Sequence, residues 1–184
     1  ITANYWLSEI YDEEVAEAHR TAAVHLHDLS MLTGYCAGWS LKQLIQEGLG
    51  GVPGKITSSP AGHLSTLCNQ MVNFLGIMQN EWAGAQAFSS FDTYLAPFVK
   101  VDNLTQKEVK QCIQSFVYGV NTPSRWGTQA PFSNITLDWV VPADLANLPA
   151  IVGGKEMDFC YGDCKAEMDM VNRAFLEIMI EGDA

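Results

Sequence analysis

Ser59-Pro60-Ala61-Gly62-His63-Leu64-Ser65-Thr66-Leu67-Cys68-Asn69-Gln70-Met71 opens the most regular stretch of the chain. From it, Leu64, Cys68, Met71, Leu75, Met78 and Trp82 recur at steps of four and three, which lines apolar side chains along one seam of a helix. Ser59 is the expected N-cap and Pro60 the first helical residue, where a missing N–H costs nothing. A second helix is expected from the capping box Thr105-Gln106-Lys107-Glu108, in which the two end side chains bond each other's backbone N–H groups. Its stripe is Val109, Ile113, Phe116 and Val120, and Pro123 ends it. These stripes predict two helices, joined by a linker from Ala83 to Asn103, that pack on each other and on a second copy of the chain.

Outward from this pair, the pattern is mixed. Ile1 to Arg20 reads as an acidic surface helix, and Ser40 to Glu47 as two helical turns stopped by Gly48. Ala23-Val24-His25-Leu26-His27-Asp28-Leu29 alternates apolar and polar side chains and predicts a first strand; Asn134 to Val141 predicts a second. Between Gly48 and Lys55, glycines and a proline dictate a loop. A further loop carrying Pro142, Pro149, Gly153 and Gly154 leads to a last helix with Cys164, Met168, Val171, Phe175 and Ile178 on one stripe. The fold class is α/β, helix-dominated, with too few strands to close a sheet alone, as in an incomplete barrel. The opening at Ile1 and the helical close before Ala184 suggest a piece of a longer polypeptide.

Ten Lys and Arg against 21 Asp and Glu leave a net charge of −11 in 184 residues, which excludes a general nucleic-acid backbone binder. No apolar run is long enough for a membrane span and no signal peptide opens the chain, so a soluble, cytoplasmic protein is expected. Cys36, Cys68, Cys112, Cys160 and Cys164 are odd in number and widely spaced, which argues for free thiols in a reducing compartment. Cys160 and Cys164 form a close pair, but a zinc site needs two more ligands and none lies nearby in sequence.

Three places invite chemistry. On a strand, His25 and His27 share one face, so with Asp28 they fit a divalent metal as in a metal-dependent hydrolase, a substrate pocket, or a plain structural role. Gly54-Lys55 resembles the end of a phosphate loop, but Leu49 stands where its first glycine belongs and Ile56 where a hydroxyl must bind magnesium. Cys36 lies between Gly34 and Gly38 just past the expected strand, where the backbone can approach a ligand and hold a thiol at the mouth of a sheet; the alternative is a small buried hydrophobe. Cys68 and Cys112 fall in or beside the apolar stripes and are expected to pack in the core.

Several long strings, taken in order, point to one family. They are His25-Leu26-His27-Asp28-Leu29, Gly34-Tyr35-Cys36-Ala37-Gly38-Trp39-Ser40-Leu41, Gly48-Leu49-Gly50-Gly51-Val52-Pro53-Gly54-Lys55, Ala83-Gly84-Ala85-Gln86-Ala87-Phe88-Ser89, and the run from Asn121 to Thr136. Together they resemble the anaerobic (class III) ribonucleotide reductases over nearly the whole chain. The resemblance implies an internal fragment of the large catalytic subunit of an oxygen-sensitive enzyme that converts ribonucleoside triphosphates to deoxyribonucleoside triphosphates. It implies part of the ten-stranded α/β barrel of the glycyl radical enzymes: about 24–55 as first strand and active-site loop, about 59–126 as effector and dimer helices, and about 132–184 as next strand and helix.

The resemblance also assigns roles. Cys36 matches the family's second active-site cysteine, which gives a hydrogen to the substrate radical, with formate as the usual reductant. His25, His27, Asp28 and Gly34 would line the substrate pocket, while His63, Ser65, Gln70, Lys100 and Arg125 would hold or relay a deoxynucleoside triphosphate effector in a homodimer. No metal or cofactor is expected in this chain. The glycyl radical, installed by an iron–sulfur, S-adenosylmethionine-dependent activase, the thiyl cysteine and a zinc site would lie beyond Ala184, and an ATP-binding domain before Ile1. Met31-Leu32-Thr33-Gly34-Tyr35 departs from the family's glycyl radical loop, since Met31 replaces its Arg, so Gly34 is not the radical site and the chain by itself should be inactive. The other readings are a non-catalytic dimerisation and nucleotide-binding module and the metal hydrolase built on His25 and His27.

Overall fold

Three short parallel strands organise the chain. The computed structural model describes residues 1–32, 34–50, 54, 57–122 and 130–182. β1 (Ala37–Trp39), β2 (Gln86–Phe88) and β3 (Ser133–Ile135) lie side by side in chain order, with Gly38 opposite Ala87 and Ala87 opposite Asn134. Parallel neighbours need long crossovers, and helices supply them. α3 (Leu41–Glu47) and α4 (Leu64–Met78) connect β1 to β2; α5 (Phe91–Val101) and α6 (Gln106–Asn121) connect β2 to β3. Beyond β3 come α7 (Ala143–Ala146), a hairpin of β4 (Pro149–Val152) and β5 (Lys155–Cys160), and α8 (Lys165–Glu181). At the front, α1 (Thr2–Tyr5) runs through a π-helical turn, Trp6–Ile10, toward α2 (Glu13–Arg20). The helix-rich α/β class is as expected, whereas the described residues form a three-stranded sheet and a hairpin, not a ten-stranded barrel.

The first strand is not where alternation placed it. Residues 23–29 are irregular, because the backbone there folds back on α2: Ala23 and Val24 donate N–H to the Ala18 carbonyl at 2.9 and 3.1 Å, and Leu26 donates to His19 Nδ1 at 3.1 Å. Asp28 then takes φ 61°, a left-handed conformation that no strand accommodates. The strand forms at Ala37, so within the 24–55 region the ladder follows Cys36 instead of preceding it.

The paired helices are as expected in their stripes and different in their ends. α6 carries the capping box, with Glu108 N–H donating to Thr105 Oγ1 at 3.4 Å and Thr105 N–H to Glu108 Oε2 at 2.8 Å. α4 starts at Leu64, not at Ser59-Pro60, and ends at Met78, so Trp82 leaves the stripe. Ser58 is instead bridged to Leu49, and the first N–H of α4 is taken by a carboxylate from another element: Asp102 Oδ2 accepts from Leu64 at 3.4 Å while Asp102 Oδ1 faces His63 Nδ1 at 2.9 Å. Leu64, Cys68, Met71 and Leu75 of α4 pack with Val109, Ile113 and Phe116 of α6 in one core, and α8 joins it through Val171, Ala174 and Ile178.

Four elements, β2, α5, β4 and β5, were hidden in segments read as linker and loop. The stretch from Ala83 to Asn103 holds β2 and α5, and every residue from Phe91 to Val99 is buried. A helix buried along nine consecutive residues shows no solvated face to mark it as one, and Asp92 and Pro97 disguise it further. The Pro149–Cys160 hairpin turns on Gly153 and Gly154, both at positive φ (62° and 73°), the conformation a two-residue turn between twisted strands requires.

The strand expected over Asn134–Val141 stops at Ile135, and Asp92 is the reason. This carboxylate is fully buried and accepts four N–H groups: Thr93 at 3.1 Å and Asp138 at 2.8 Å on Oδ1, Trp139 at 2.9 Å and Asn172 Nδ2 at 2.9 Å on Oδ2. Capturing the Asp138 and Trp139 N–H groups bends the chain off the sheet, with Trp139 at φ 62°. Thr93 Oγ1 donates to Asp138 Oδ2 at 2.6 Å and closes the same junction.

Asp92→Asn keeps the shape but turns an amide NH₂ toward buried donors, so it is expected to lower unfolding stability by about 3 kcal/mol in urea titration. An unchanged midpoint would show that the junction is held otherwise. A second expectation concerns pH. The Thr105 backbone N–H and then its hydroxyl lower the Glu108 carboxyl below its ordinary value of 4.5. A lowered folded value stabilises the native state above the ordinary value, and this contribution disappears as pH falls through the lowered one. Glu108→Gln should therefore lower thermal stability at neutral pH, where the contribution is fully present, and flatten the acid limb below about pH 5, so that variant and parent converge in acid.

Candidate active site around Cys36

Pairing of the β1 region with the β2 region begins before either strand proper. Ala83 donates N–H to the Gly34 carbonyl at 3.3 Å, Gly84 to Tyr35 at 2.5 Å, and Ala37 to the Ala85 carbonyl at 3.0 Å. Cys36 therefore stands at the N-terminal end of β1, on backbone already tied to its neighbour, with its residue surface exposed. An aromatic cluster holds this edge down. Trp39 packs edge-to-face on Phe74 (5.2 Å, 83°) and on Trp82 (5.7 Å, 89°), and its indole N–H donates to Gln86 Oε1 at 2.9 Å. Gln86 is fully buried and passes the link to the Leu75 carbonyl of α4 at 3.4 Å. Gly34 serves this packing: a Cβ there would fall 2.0 Å from Trp82, so its space is filled by the indole. A Cβ at Gly38 would meet no atom of the described residues within 4 Å, so among them the backbone is open on that side.

The other thiols are set apart from Cys36 by burial. Desolvation pushes Cys68 far up and Cys164 up to about 12, and it raises Cys112, with Asp102 and Glu108 adding to the effect. Cys68 and Cys112 lie in the α4–α6 core as expected. Cys160 and Cys164 do not face a common ion: Cys160 Sγ points to the Asn147 carbonyl at 3.5 Å and Cys164 Sγ to the Cys160 carbonyl at 3.6 Å. Among the described residues, no three His, Cys, Asp or Glu side chains are placed to share a metal.

The remaining site candidates divide into groups. His25 lies against His19 with ring centroids 5.6 Å apart, and His27 Nδ1 contacts Asp28 Oδ2, so the imidazoles engage α2 and the adjoining turn. They do not share a strand face, and the geometry that the metal hydrolase reading needs is absent. His63 is the N-cap of α4 and Ser65 is exposed in its first turn. Gln70 is 3% exposed and donates to Ser58 Oγ at 2.8 Å and to the Ser59 carbonyl at 2.7 Å, while its Oε1 has no partner. Lys100 is engaged elsewhere, by the Asp163 carbonyl (3.1 Å) and Glu167 Oε1 (3.3 Å). The structure thus brings His63 and Ser65 together and engages Lys100 with the α8 side. Arg125 and Lys55 lie outside the described residues. Sequence reasoning missed Trp82, Gly84 and Gln86 as parts of the Cys36 surroundings; the alternation of small and large residues through Ala83–Phe88 was the available signal.

Comparison with known proteins bears on the family and the fold. A family model described as anaerobic ribonucleoside-triphosphate reductase matches residues 1–184. No match is found among curated proteins. Among solved structures, the chain is similar to the anaerobic ribonucleotide reductase from Thermotoga maritima in complex with dATP and CTP, with 26% identity and a TM-score of 0.66 over 91% of this chain and 29% of that one. The same organism's enzyme with citrate in the active site gives a TM-score of 0.70 at 23% identity, over 98% and 34% of the two chains, and shows the fold alone. With dATP bound in the specificity site, the values are 0.57 and 26%, over 89% and 28%. The chain spans about a third of the length of these structures. With the family model covering every residue, and the parallel strands and exposed thiol in place, the chain belongs to the anaerobic ribonucleoside-triphosphate reductase family.

Proposed function

We propose that this chain is an interior segment of a reductase that converts ribonucleoside triphosphates to deoxyribonucleoside triphosphates, and that Cys36 is its hydrogen donor to the substrate radical. The observation that carries the reading is the exposed thiol at the start of β1, in a chain whose every residue matches the family. Cys36 is the exposed one of the five thiols, and the open side of Gly38 leaves room for a ligand beside it. His25, His27 and Asp28 would then approach the substrate from the irregular segment before the strand. In this reading the segment by itself is inactive. The thiyl cysteine, the glycyl radical, its iron–sulfur activase, zinc and formate belong to the intact enzyme, whose place is the cytoplasm. No helix among the described residues is long and apolar enough to cross a membrane.

In this reading the effector lies near the start of α4, beside His63 and Ser65, where Asp102 already takes the Leu64 N–H and engages His63 and so must yield to an anion, with Gln70 and Lys100 relaying its state through Ser58–Ser59 and α8. A chain this acidic would hold a triphosphate through few cations and rely on backbone N–H groups. Lys165 is committed to Asp169, Arg20 to Glu13 and Glu17, and Lys110 to Glu177 and Glu181, which further narrows the choice. The reading as a dimerisation and nucleotide-binding module keeps one observation in its favour. Gln111, Gln114, Ser115 and Tyr118 on the outward side of α6 are uncharged and border a shallow open hollow of about 160 Å³, where a second helix could lie.

Cys36→Ala in the radical-activated intact reductase should abolish deoxynucleotide formation while leaving substrate affinity within about twofold. Normal turnover would remove the role proposed for the thiol. Calorimetric titration of the intact reductase with dATP should show binding that weakens about tenfold in Ser65→Asp, through repulsion at the helix start. Undiminished binding would move the effector elsewhere, and tight zinc binding lost on His25→Ala would revive the hydrolase reading.

A further inference from the structure

We propose that Gly84 is a positioning residue for Cys36, holding the thiol in one place by having no side chain of its own. The inference rests on the reading of Cys36 as hydrogen donor, and it goes beyond that reading to the strand facing the thiol. A Cβ built on Gly84 would lie 2.9 Å from Cys36 Sγ, 2.7 Å from the Tyr35 carbonyl oxygen and 3.1 Å from the Tyr35 carbonyl carbon. Carbon atoms of side chains do not approach a sulfur or a carbonyl this closely, so the sulfur occupies the space a side chain would need. Gly84 does not adopt a left-handed backbone, which means the glycine is required by this contact and not by its own conformation.

The contact is rigid from both sides. The Gly84 N–H donates to the Tyr35 carbonyl at 2.5 Å, so the two strands cannot separate to admit a methyl group without losing a ladder bond. The backbone one step earlier is pressed by Trp82 against Gly34, and Trp82 is itself wedged on Trp39, whose indole is bonded to buried Gln86. Shifting the Cys36 backbone therefore means repacking an aromatic cluster rooted on α4. A side chain at Gly84 meets the Tyr35 carbonyl oxygen first, at 2.7 Å, and the sulfur at 2.9 Å; the carbonyl is held by the backbone, whereas Sγ is free to rotate, so Sγ is the atom that leaves its place. Hydrogen transfer depends steeply on the separation of the reacting atoms, so a displaced sulfur affects the chemical step more than substrate capture.

The test is Gly84→Ala in the intact, radical-activated reductase, with Cys36 alkylation by iodoacetamide followed by peptide mass spectrometry and turnover measured on the same preparation. The Cys36 alkylation rate is expected to change at least about threefold, and kcat to fall at least about tenfold with KM within about twofold. An unchanged alkylation rate overturns the proposal whatever the turnover. A changed alkylation rate with unchanged kcat instead overturns the reading of Cys36 as hydrogen donor, so the two failures are told apart. Should Gly84→Ala not fold, Cys36→Ala/Gly84→Ala decides: recovered folding identifies the sulfur as the obstacle and supports the proposal, and continued failure places the obstacle at Tyr35 and overturns it.

Discussion

The Asp92 carboxylate is the constraint on which this arrangement depends. It is buried without a cationic partner among the described residues and is satisfied by N–H groups drawn from three separate segments: its own helical turn, the backbone at Asp138 and Trp139, and the Asn172 amide of α8. A buried charge is tolerable only when its lone pairs are filled, so these segments must meet in one geometry. Because β2 leads directly into α5 and β3 directly into residue 138, the junction fixes where the two strands end. Ser90 N–H to Thr136 Oγ1 at 3.1 Å and Phe91 N–H to the Thr136 carbonyl at 3.0 Å complete it.

The sheet is thereby pinned at its C-terminal end, and the thiol stands at the other. Along the N-terminal edge, Gly34, Tyr35 and Cys36 run beside Ala83, Gly84 and Ala85, and Gln86 N–H reaches the Phe132 carbonyl at 2.9 Å. Here rigidity comes from aromatic packing beneath the strand, leaving the upper side free of bulk at Gly38. A site built this way has a fixed floor and an accessible thiol, which is the division of labour that a precisely placed reactive group requires.

What could be read in the sequence followed from how each element is stabilised. α4 and α6 announced themselves because one face of each is buried and the other is solvated, and the Thr105–Glu108 box is a local device. α5 was invisible for the opposite reason, being buried on all sides and capped by no local side chain. The start of α4 was misplaced because its cap is tertiary: Asp102, distant in sequence, takes the first N–H of the helix at Leu64, five residues beyond the expected cap Ser59. The alternation over Ala23–Leu29 specified a strand only if a ladder partner existed, and α2 claimed those N–H groups first. The exposure of Cys36 at a strand end agrees with its flanking glycines, but the packing role of Gly34 was not legible, since it makes room for Trp82.

The central claim is that substrate sits against the exposed Cys36 thiol. Its most direct test is protection of Cys36 from alkylation in the intact reductase, followed by peptide mass spectrometry, with a ribonucleoside triphosphate and a deoxynucleoside triphosphate compared at saturation. The account predicts that the ribonucleotide slows Cys36 modification about tenfold or more while the deoxynucleotide alone leaves it largely unchanged. Full-rate modification of Cys36 under saturating ribonucleotide would contradict it.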